Sequence, residues 1–211
     1  MVYARAVLSA FLVFCFGGFA FGQEAPTGSP VQPNEKEQKA LDALKGTVKG
    51  QIVWSTSRSN SKHDLWIMNA DGTDPKQLTK GDEVDWFSRF SPDGSKVLFT
   101  RSKGGWVAEN DAEYPEKWDI WVINTDGTGD KKVADNGCWG VWQPDGKSIL
   151  FARRAQVFIK NLETGEEKMI VDGEAIFKKG VVVQQPSLSP DGKYLAATLR
   201  GSMRETGILS M

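Results

Sequence analysis

The sequence is poor in the side chains on which most catalytic and metal sites depend. It contains one histidine, His63, and two cysteines, Cys15 and Cys138, in 211 residues. Zinc sites need paired cysteine or histidine ligands, and a Ser-His-Asp triad would have to be built around His63. His63 directly precedes a predicted strand, where we expect a surface histidine. We therefore expect no catalytic centre, no metal site and no cofactor, and we expect Cys138 to pack beside Trp139.

An excess of charge of either sign is also absent. The chain has 26 Lys and Arg against 27 Asp and Glu, which gives a formal net charge of −1. Domains that bind nucleic acid carry clustered positive charge that neutralises phosphates. We therefore expect neither nucleic acid nor an anionic membrane surface as a partner.

Only one long hydrophobic run is present, and it lies at the N-terminus. Residues 6–22 read AVLSAFLVFCFGGFAFG. The run is short for a membrane span, and Ala20 and Gly22 are the small residues that a signal peptidase requires before its cleavage site. We predict a signal peptide over 1–22, a periplasmic or secreted protein, and no membrane span after cleavage.

The positions of the two cysteines predict that the exported protein is neither lipidated nor linked by an internal disulfide. Cys15 follows the bulky Phe14, whereas a lipoprotein signal has a small residue at that position. Cleavage after residue 22 leaves Cys138 as the remaining cysteine, so we expect no disulfide within the chain. Residues 23–49 are predicted to form a linker, with a short helix over 34–45.

Glycine and tryptophan, by contrast, are plentiful, with 22 and 8 residues. Part of the glycine belongs to a tetrapeptide that recurs at intervals of 52 and 46 residues, as SPDG at 91–94, QPDG at 143–146 and SPDG at 189–192. Proline fixes φ for a turn, aspartate caps it through its side chain, and glycine adopts the positive φ that a Cβ resists. Each copy therefore predicts a hairpin turn.

Two further motifs recur in phase with these turns. An apolar strand follows each PDG, and a DLW-type strand comes next; the copies are 96–100, 148–152, 193–197 and 51–55 for the first, and 64–72, 119–127 and a degraded 156–162 for the second. A period of 46 to 52 residues with four short strands per unit is typical of β-propeller blades. In the second unit we predict strands near 86–91, 96–102, 118–124 and 131–135.

The order of these motifs resembles that of a known family. The succession SPDG, apolar strand, DLWIMNADG or DIWVINTDG, and then Gln77-Leu78-Thr79 resembles the repeat of TolB-like (PD40, WD40-like) propellers, from about Gly50 to the C-terminus. The resemblance implies an all-β propeller of the TolB type that binds partners on its face. For TolB itself it implies a periplasmic role in the Tol-Pal complex, but the folded α/β domain that precedes the TolB propeller has no counterpart in 23–49.

The repeat spacing predicts an incomplete ring. From Gly50 onward the chain has 162 residues, which correspond to about three and a half four-stranded blades, whereas propellers usually close with about 4–8. We predict blades over 50–82, 83–136, 137–180 and a truncated 181–211. We expect packing between blades for most of the tryptophans, namely Trp54, Trp66, Trp86, Trp118, Trp121, Trp139 and Trp142.

The candidate binding site is an insertion in the second blade. The loop between its second and third strands is enlarged to 103–117, and insertions in repeat proteins gather on the binding face. Together with the acidic link to the preceding blade it gives the candidate residues Trp106, Asn110, Asp111, Glu113, Tyr114, Asp82, Glu83 and Asp85. A cation, a sugar or a peptide would suit them, and the alternative is a solvated loop that covers the ring.

Three functional hypotheses follow. The first is an exported, non-catalytic propeller that binds a protein or a cell-envelope polymer, either peptide or glycan. The second is the propeller of a larger exported enzyme, a prolyl-oligopeptidase-like peptidase or a carbohydrate-processing enzyme, whose catalytic part lies outside this chain. The third is self-association of two half-rings, because terminal repeats without caps expose apolar faces.

Overall fold

The computed structural model of the protein describes residues 33–59, 62–177, 179–201 and 204–211. The predicted signal peptide and the first part of the linker lie outside these residues. Helix α1 (Glu35–Leu44) precedes the strands and begins with a reciprocal cap between Asn34 and Glu37, so the predicted short helix is confirmed. Among the described residues, no helix combines the length and the hydrophobicity that a membrane span needs.

The rest of the described chain forms four antiparallel sheets in sequence order. The first contains β1 (Gln51–Thr56), β2 (Asp64–Asn69) and β3 (Lys76–Gln77); the second contains β4 (Asp85–Phe90), β5 (Lys96–Ser102), β6 (Trp118–Asn124) and β7 (Lys131–Asp135); the third contains β8 (Cys138–Trp142), β9 (Ser148–Arg153), β10 (Gln156–Asn161) and β11 (Glu167–Asp172); the fourth follows helix α2 (Gly173–Ile176) and contains β12 (Val182–Leu188), β13 (Tyr194–Arg200) and β14 (Arg204–Ser210).

The strand count fits the predicted incomplete propeller. The first sheet starts at the strand equivalent to β5, and the fourth stops at the strand equivalent to β6, so the sheets have three, four, four and three strands. Every pairing joins strands that are neighbours in the sequence. Four-stranded meanders of this kind are the units of a propeller, and the fourteen described strands make three and a half of them.

The PDG tetrapeptides form the hairpin turns that the sequence predicts. In the second sheet the N–H of Ser91 donates to the carbonyl of Lys96 at 2.8 Å, and that of Gly94 donates to the carbonyl of Ser91 at 2.9 Å. Gly94, Gly146 and Gly192 have φ of 74°, 66° and 72°. Glycine adopts this left-handed conformation with little strain. It therefore permits the tight turn that joins each innermost strand to the next strand.

The hydrophobic core lies between successive sheets. One cluster joins Leu65 and Ile67 of the first sheet to Phe99 of the second, and equivalent clusters join the second sheet to the third and the third to the fourth. Trp121 and Trp142 belong to these clusters, which confirms the predicted packing between blades for these two residues. Each sheet is thus stabilised mainly by its immediate neighbours.

The innermost strand of each of the last three sheets contains an irregularity that the sequence did not predict. The register shifts within β4, β8 and β12, and one non-glycine residue at the same repeat position in each has a left-handed backbone. These residues are Phe87, Trp139 and Gln185, with φ of 57°, 56° and 51°. Bulky residues rarely adopt this conformation, so the surrounding packing must hold each bulge in place.

Candidate functional site

An insertion of 15 residues, 103–117, separates β5 from β6 in the second sheet. At its base the N–H of Lys103 donates to the carbonyl of Lys117 at 2.9 Å. Two 3-10 turns, Glu109–Glu113 and Pro115–Lys117, form its second half. The sequence places the start of the second turn at Pro115, because proline has the φ of the first helical residue and needs no hydrogen-bond acceptor there.

The insertion packs against the inner strands of three successive sheets. Ala112, which is 3% exposed, and Val107 lie in one apolar cluster with Trp86 of β4, Trp139 of β8 and Val182 of β12. Cys138 is buried in the same cluster, as predicted from its position beside Trp139. The insertion is therefore a packed segment that extends beyond its own sheet.

Polar contacts fix the second half of the insertion at both ends. The fully buried Trp118 donates its indole N–H to the carbonyl of Asp111 at 3.0 Å. At the far side, the Glu113 carboxylate lies 2.9 Å from the guanidinium of Arg200, which ends β13 of the fourth sheet. An ion pair thus joins the insertion of the second sheet to the fourth.

The outer surface of the insertion presents aromatic rings and paired charges. Trp106 is 60% exposed and Tyr114 is 38% exposed. The Lys117 ammonium lies 5.0 Å from the centre of the Tyr114 ring and 2.7 Å from the Asp111 carboxylate. The hydrogen bond to Asp111 raises the pKa of Lys117, so this lysine remains positively charged.

Several of these side chains surround a cleft of about 470 Å³. It is lined by Lys103, Gly104, Trp106, Val107, Ala108, Asp111 and Lys117. Trp106 and Asp111 were predicted site residues, whereas Tyr114, which was also predicted, contacts Lys117 but is not among the residues that line the cleft. The side chain of Asn110, another predicted site residue, lies outside the described part of the structure.

A second cleft, of about 380 Å³, shares Lys103 with the first. It is lined by Glu83, Arg101, Ser102, Lys103, Asp119, Trp121 and Lys132. The ammonium groups of Lys103 and Lys132 lie 3.3 and 3.4 Å from the Asp119 carboxylate. The two clefts therefore adjoin at Lys103, and together they are called the groove here; most of the charged side chains that line them are paired.

The three acidic candidates before β4 lie in different surroundings. Asp82 is exposed and pairs with Lys62 at 2.5 Å, whereas Glu83 lines the second cleft. Asp85 is only 2% exposed and accepts hydrogen bonds from Arg101 Nε at 2.8 Å and Nη2 at 3.0 Å. Burial raises the pKa of Asp85, while Arg101 opposes that rise. Asp85 thus faces Arg101 rather than a solvent-filled cleft.

The prediction missed the cations of the groove. Lys103 and Lys117 are the first and last residues of the insertion, so their proximity could have been predicted from the boundaries of the insertion. Arg101 had a subtler signal: it follows Phe99 by two positions, as Arg153 follows Phe151 in the third sheet. Lys132 had no local signal, because it lies on another strand.

His63 differs from the expected surface histidine. Its ring is half-buried and tilted over Trp86 with the ring centres 4.0 Å apart, because the link before β2 packs against β4. Burial lowers the pKa of His63, which favours the neutral form. The Ser55 hydroxyl lies 3.4 Å from His63 Nδ1, but it donates its hydrogen to the carbonyl of Asp85 at 2.6 Å.

The described residues contain no group of three or more His, Cys, Asp or Glu side chains arranged to hold a metal ion.

Known proteins share this arrangement of sheets. The structure of a protein from Agrobacterium tumefaciens designated as TolB aligns over 76% of this chain and 57% of its own, with a TM-score of 0.59 and 15% identity. TolB from Acinetobacter baumannii aligns over 76% of this chain and 38% of its own, with a TM-score of 0.54 and 20% identity. The chain has a TolB-type β-propeller fold. No family model matches the sequence of this propeller.

A sequence relative comes from Bacillus subtilis (strain 168). It is the protein named "Uncharacterized peptidase YuxL", and it is 24% identical to this chain over 172 residues. The match covers 82% of this chain and 23% of that protein, so the chain spans less than a quarter of its relative's length.

Proposed function

We propose that this protein is an exported, non-catalytic propeller that binds a protein or a cell-envelope polymer through the insertion at 103–117. The observation that carries the proposal is an exposed aromatic side chain on a well-supported segment. Trp106 is 60% exposed, while the same insertion is anchored by buried Ala112 and by the ion pair between Glu113 and Arg200. Tryptophan is among the side chains that most often dominate the energetics of binding interfaces.

The electrostatics of the groove favour a ligand of low net charge. Asp111 pairs with Lys117, Asp119 lies between Lys103 and Lys132, and Lys132 also pairs with Asp135. A highly charged polymer would have to break these pairs before it gained new ones. An uncharged stretch of peptide or glycan can instead stack on Trp106 and hydrogen-bond to the paired groups at their edges.

Two further features support export and an envelope role. Residues 1–22 have the pattern of a signal peptide, with Ala20 and Gly22 before the predicted cleavage site. Two solved structures with the same fold carry the name TolB, which motivates a role of the Tol-Pal or biopolymer-transport kind. Fractionation of the source cells tests the location, since a protein retained in the cytoplasm would contradict it.

Binding is tested by capture from a solubilised cell envelope with the immobilised full chain. We expect Trp106→Ala to lower the recovery of the bound partner at least tenfold, because the variant removes the central aromatic contact without touching the core. The matched control is Ile176→Ala on helix α2, an exposed apolar side chain outside the groove. Equal recovery by the Trp106→Ala, Tyr114→Ala and unmodified proteins would reject the site.

The second candidate function is that of the propeller within a larger exported enzyme, such as a peptidase or a carbohydrate-processing enzyme. The similarity to "Uncharacterized peptidase YuxL" over 172 residues is the observation that favours it. The genomic reading frame after Met211 separates the two candidates. A continuing frame with a G-x-S-x-G turn between a strand and a helix would favour the enzyme, whereas further SPDG repeats followed by a stop would favour the binding protein.

A further inference from the structure

Trp106 differs from the other two tryptophans that meet the insertion. Trp86 donates its indole N–H to the carbonyl of Val107 at 3.4 Å, and Trp118 donates its own to the carbonyl of Asp111 at 3.0 Å. Both of these side chains therefore hold the backbone of the insertion in place. Trp106 is instead 60% exposed and lines the first cleft, so its ring is available to a ligand.

The backbone just before Trp106 is fixed by a buried hydroxyl. Ser102, which is 2% exposed, donates to the carbonyl of Gly105 at 2.6 Å and accepts from the N–H of Val84 at 3.0 Å. Open space lies where a Cβ of Gly104 or Gly105 would point. The segment is thus held in position and also bare of side chains, so a flat ligand can approach the tryptophan from this side.

The polar lining of the groove consists of closely spaced donors and acceptors. In the first cleft the Asp111 carboxylate lies 2.7 Å from the Lys117 ammonium. In the second cleft the Asp119 carboxylate lies 3.3 Å from the ammonium of Lys103 and 3.4 Å from that of Lys132. A hydroxyl can donate to a carboxylate and accept from an ammonium. Neighbouring hydroxyls of a sugar ring can therefore bind such a pair without breaking it.

These features fit a glycan better than a peptide. An extended peptide commonly adds a strand to a free sheet edge and places its side chains in a row of pockets. Arg101, Ser102, Asp119 and Trp121 of the groove belong to β5 and β6, and each of these strands is paired on both sides. Of the described side chains that line the groove, Trp106 is the large hydrophobic one that is mostly exposed, and it offers one flat surface.

We propose that the groove binds a neutral glycan chain, with one sugar ring stacked on Trp106 and neighbouring hydroxyls bonded to the paired charges. This ligand class rests on the binding function proposed above. The C–H face of a sugar ring is apolar and suits the indole, while the hydroxyls at its rim suit the pairs. The two clefts, of about 470 and 380 Å³, adjoin at Lys103, so the site can hold more than one unit of a chain.

The ligand class is tested by capture from two fractions of the cell envelope with the immobilised full chain. One fraction is digested to completion with a nonspecific protease and retains the glycans; the other holds the envelope proteins without free polysaccharide. Bound sugar is measured after acid hydrolysis. From the digested fraction we expect sugar that Trp106→Ala fails to retain. Its recovery should change less than about twofold between about 0.1 M and 1 M NaCl, because salt screens charges and the ligand has none.

Two further variants distinguish ring stacking from simple apolar contact. Trp106→Phe keeps a flat ring and should retain most of the bound sugar. Trp106→Leu keeps apolar area without a ring and should lower the bound sugar about tenfold or more. The matched control is Tyr194→Leu, which removes a 52% exposed aromatic ring outside the groove and should bind like the unmodified chain.

The remaining outcomes separate this ligand class from the binding function itself. Trp106-dependent recovery of protein without sugar would overturn the glycan and leave the binding function in place. Sugar that is bound at about 0.1 M NaCl but lost at about 1 M would show a charged ligand and overturn the neutral one. Recovery that is independent of Trp106 in both fractions would overturn the glycan and the proposed site together.

Discussion

Arg101 has an unusually full set of contacts for a strand residue. Its guanidinium binds Asp85 through two nitrogens and Asp130 through a third at 2.7 Å, and it lies over the rings of Phe99 and Trp121. Asp85 is buried, and a buried carboxylate without a cationic partner strongly destabilises the fold. The main effect of losing Arg101 would therefore be an unpaired charge on Asp85. The arginine thus joins the groove to the junction between the first two sheets.

At this scale we predict that Arg101→Met lowers the free energy of unfolding by about 3–5 kcal/mol, because it keeps the apolar stem but leaves Asp85 buried without its cation. Urea denaturation measures the loss. Lys147→Met is the matched control and should cost far less, since Lys147 pairs with exposed Glu163. Equal losses in the two variants would contradict the prediction.

The stability that Arg101→Met loses should also depend on pH, in a direction that the pKa of Asp85 determines. The pKa of Asp85 is raised in the fold, so its contribution to stability is greatest when it is protonated and is lost as the pH rises through its pKa. Removal of Arg101 leaves the upward shift of the Asp85 pKa unopposed, so stability should fall more steeply with rising pH. The deficit of Arg101→Met should therefore shrink as the pH falls toward 4, and Arg101→Met combined with Asp85→Asn should recover part of it at pH 7.

At the scale of elements, the turns show how local sequence fixes the meanders. In SPDG, Ser91 donates its hydroxyl hydrogen to the Asp93 carboxylate at 2.6 Å, and in ADGT, Thr73 does the same to Asp71 at 2.6 Å. These contacts involve neighbours two positions apart, so the motif contains everything that the turn needs. For this reason the turns and the four strands of the second sheet were predicted to within one residue.

We predict that Asp71→Asn reduces the loss of stability in acid. The hydrogen bonds from Thr73 and from the N–H of Gly46 lower the pKa of Asp71 to about 2. The corresponding stability is present above the unfolded pKa of about 3.9 and is lost as the pH falls through the folded value. Denaturation midpoints between pH 7 and pH 2 measure this slope. Asp74→Asn, at an exposed aspartate in the same turn, is the control variant.

The insertion at 103–117 depends on contacts that no local motif contains. Glu113 and Arg200 are 87 positions apart, and both are partly exposed. We predict that Glu113→Gln increases the rate of tryptic cleavage after Lys103 and Lys117 severalfold, because the insertion loses its charged contact with the fourth sheet. Glu163→Gln, which breaks the exposed pair with Lys147, is the control. Unchanged cleavage in both variants would show that apolar packing alone fixes the insertion.

At the scale of the whole molecule, stability is distributed between neighbours. Leu195 packs at the junction of the third and fourth sheets, whereas Leu98 packs between the second and third. We predict that Leu195→Ala costs about 2–5 kcal/mol and increases hydrogen exchange mainly in β12–β14. Leu98→Ala should increase exchange on both sides of its junction. Uniform exchange across all four sheets after Leu195→Ala would contradict nearest-neighbour stacking.

The sequence predicted the repeating part of this molecule and the packing of Trp121 and Trp142 between sheets, but it missed several other contacts between distant residues. Turn chemistry and the alternation of apolar residues are local, and they were enough for the incomplete propeller. The salt bridge of Arg101 with Asp85 depends on the pairing of β4 with β5, whereas the burial of His63 against Trp86 and the path of the insertion depend on side chains that meet only after the sheets stack. The candidate site was therefore found by its length and its aromatic residues, but its cations were not.

The bulges at Phe87, Trp139 and Gln185 have a consequence for how the chain avoids aggregation. The innermost strand of a sheet has one edge without a partner strand, and a regular row of free N–H and C=O groups can template the addition of another chain. A residue with φ of 51° to 57° breaks that row in β4, β8 and β12. The bulges at these positions thus protect the inner edges against the addition of a strand from another chain. A substitution that straightened a bulge would make its edge prone to such strand addition and to aggregation.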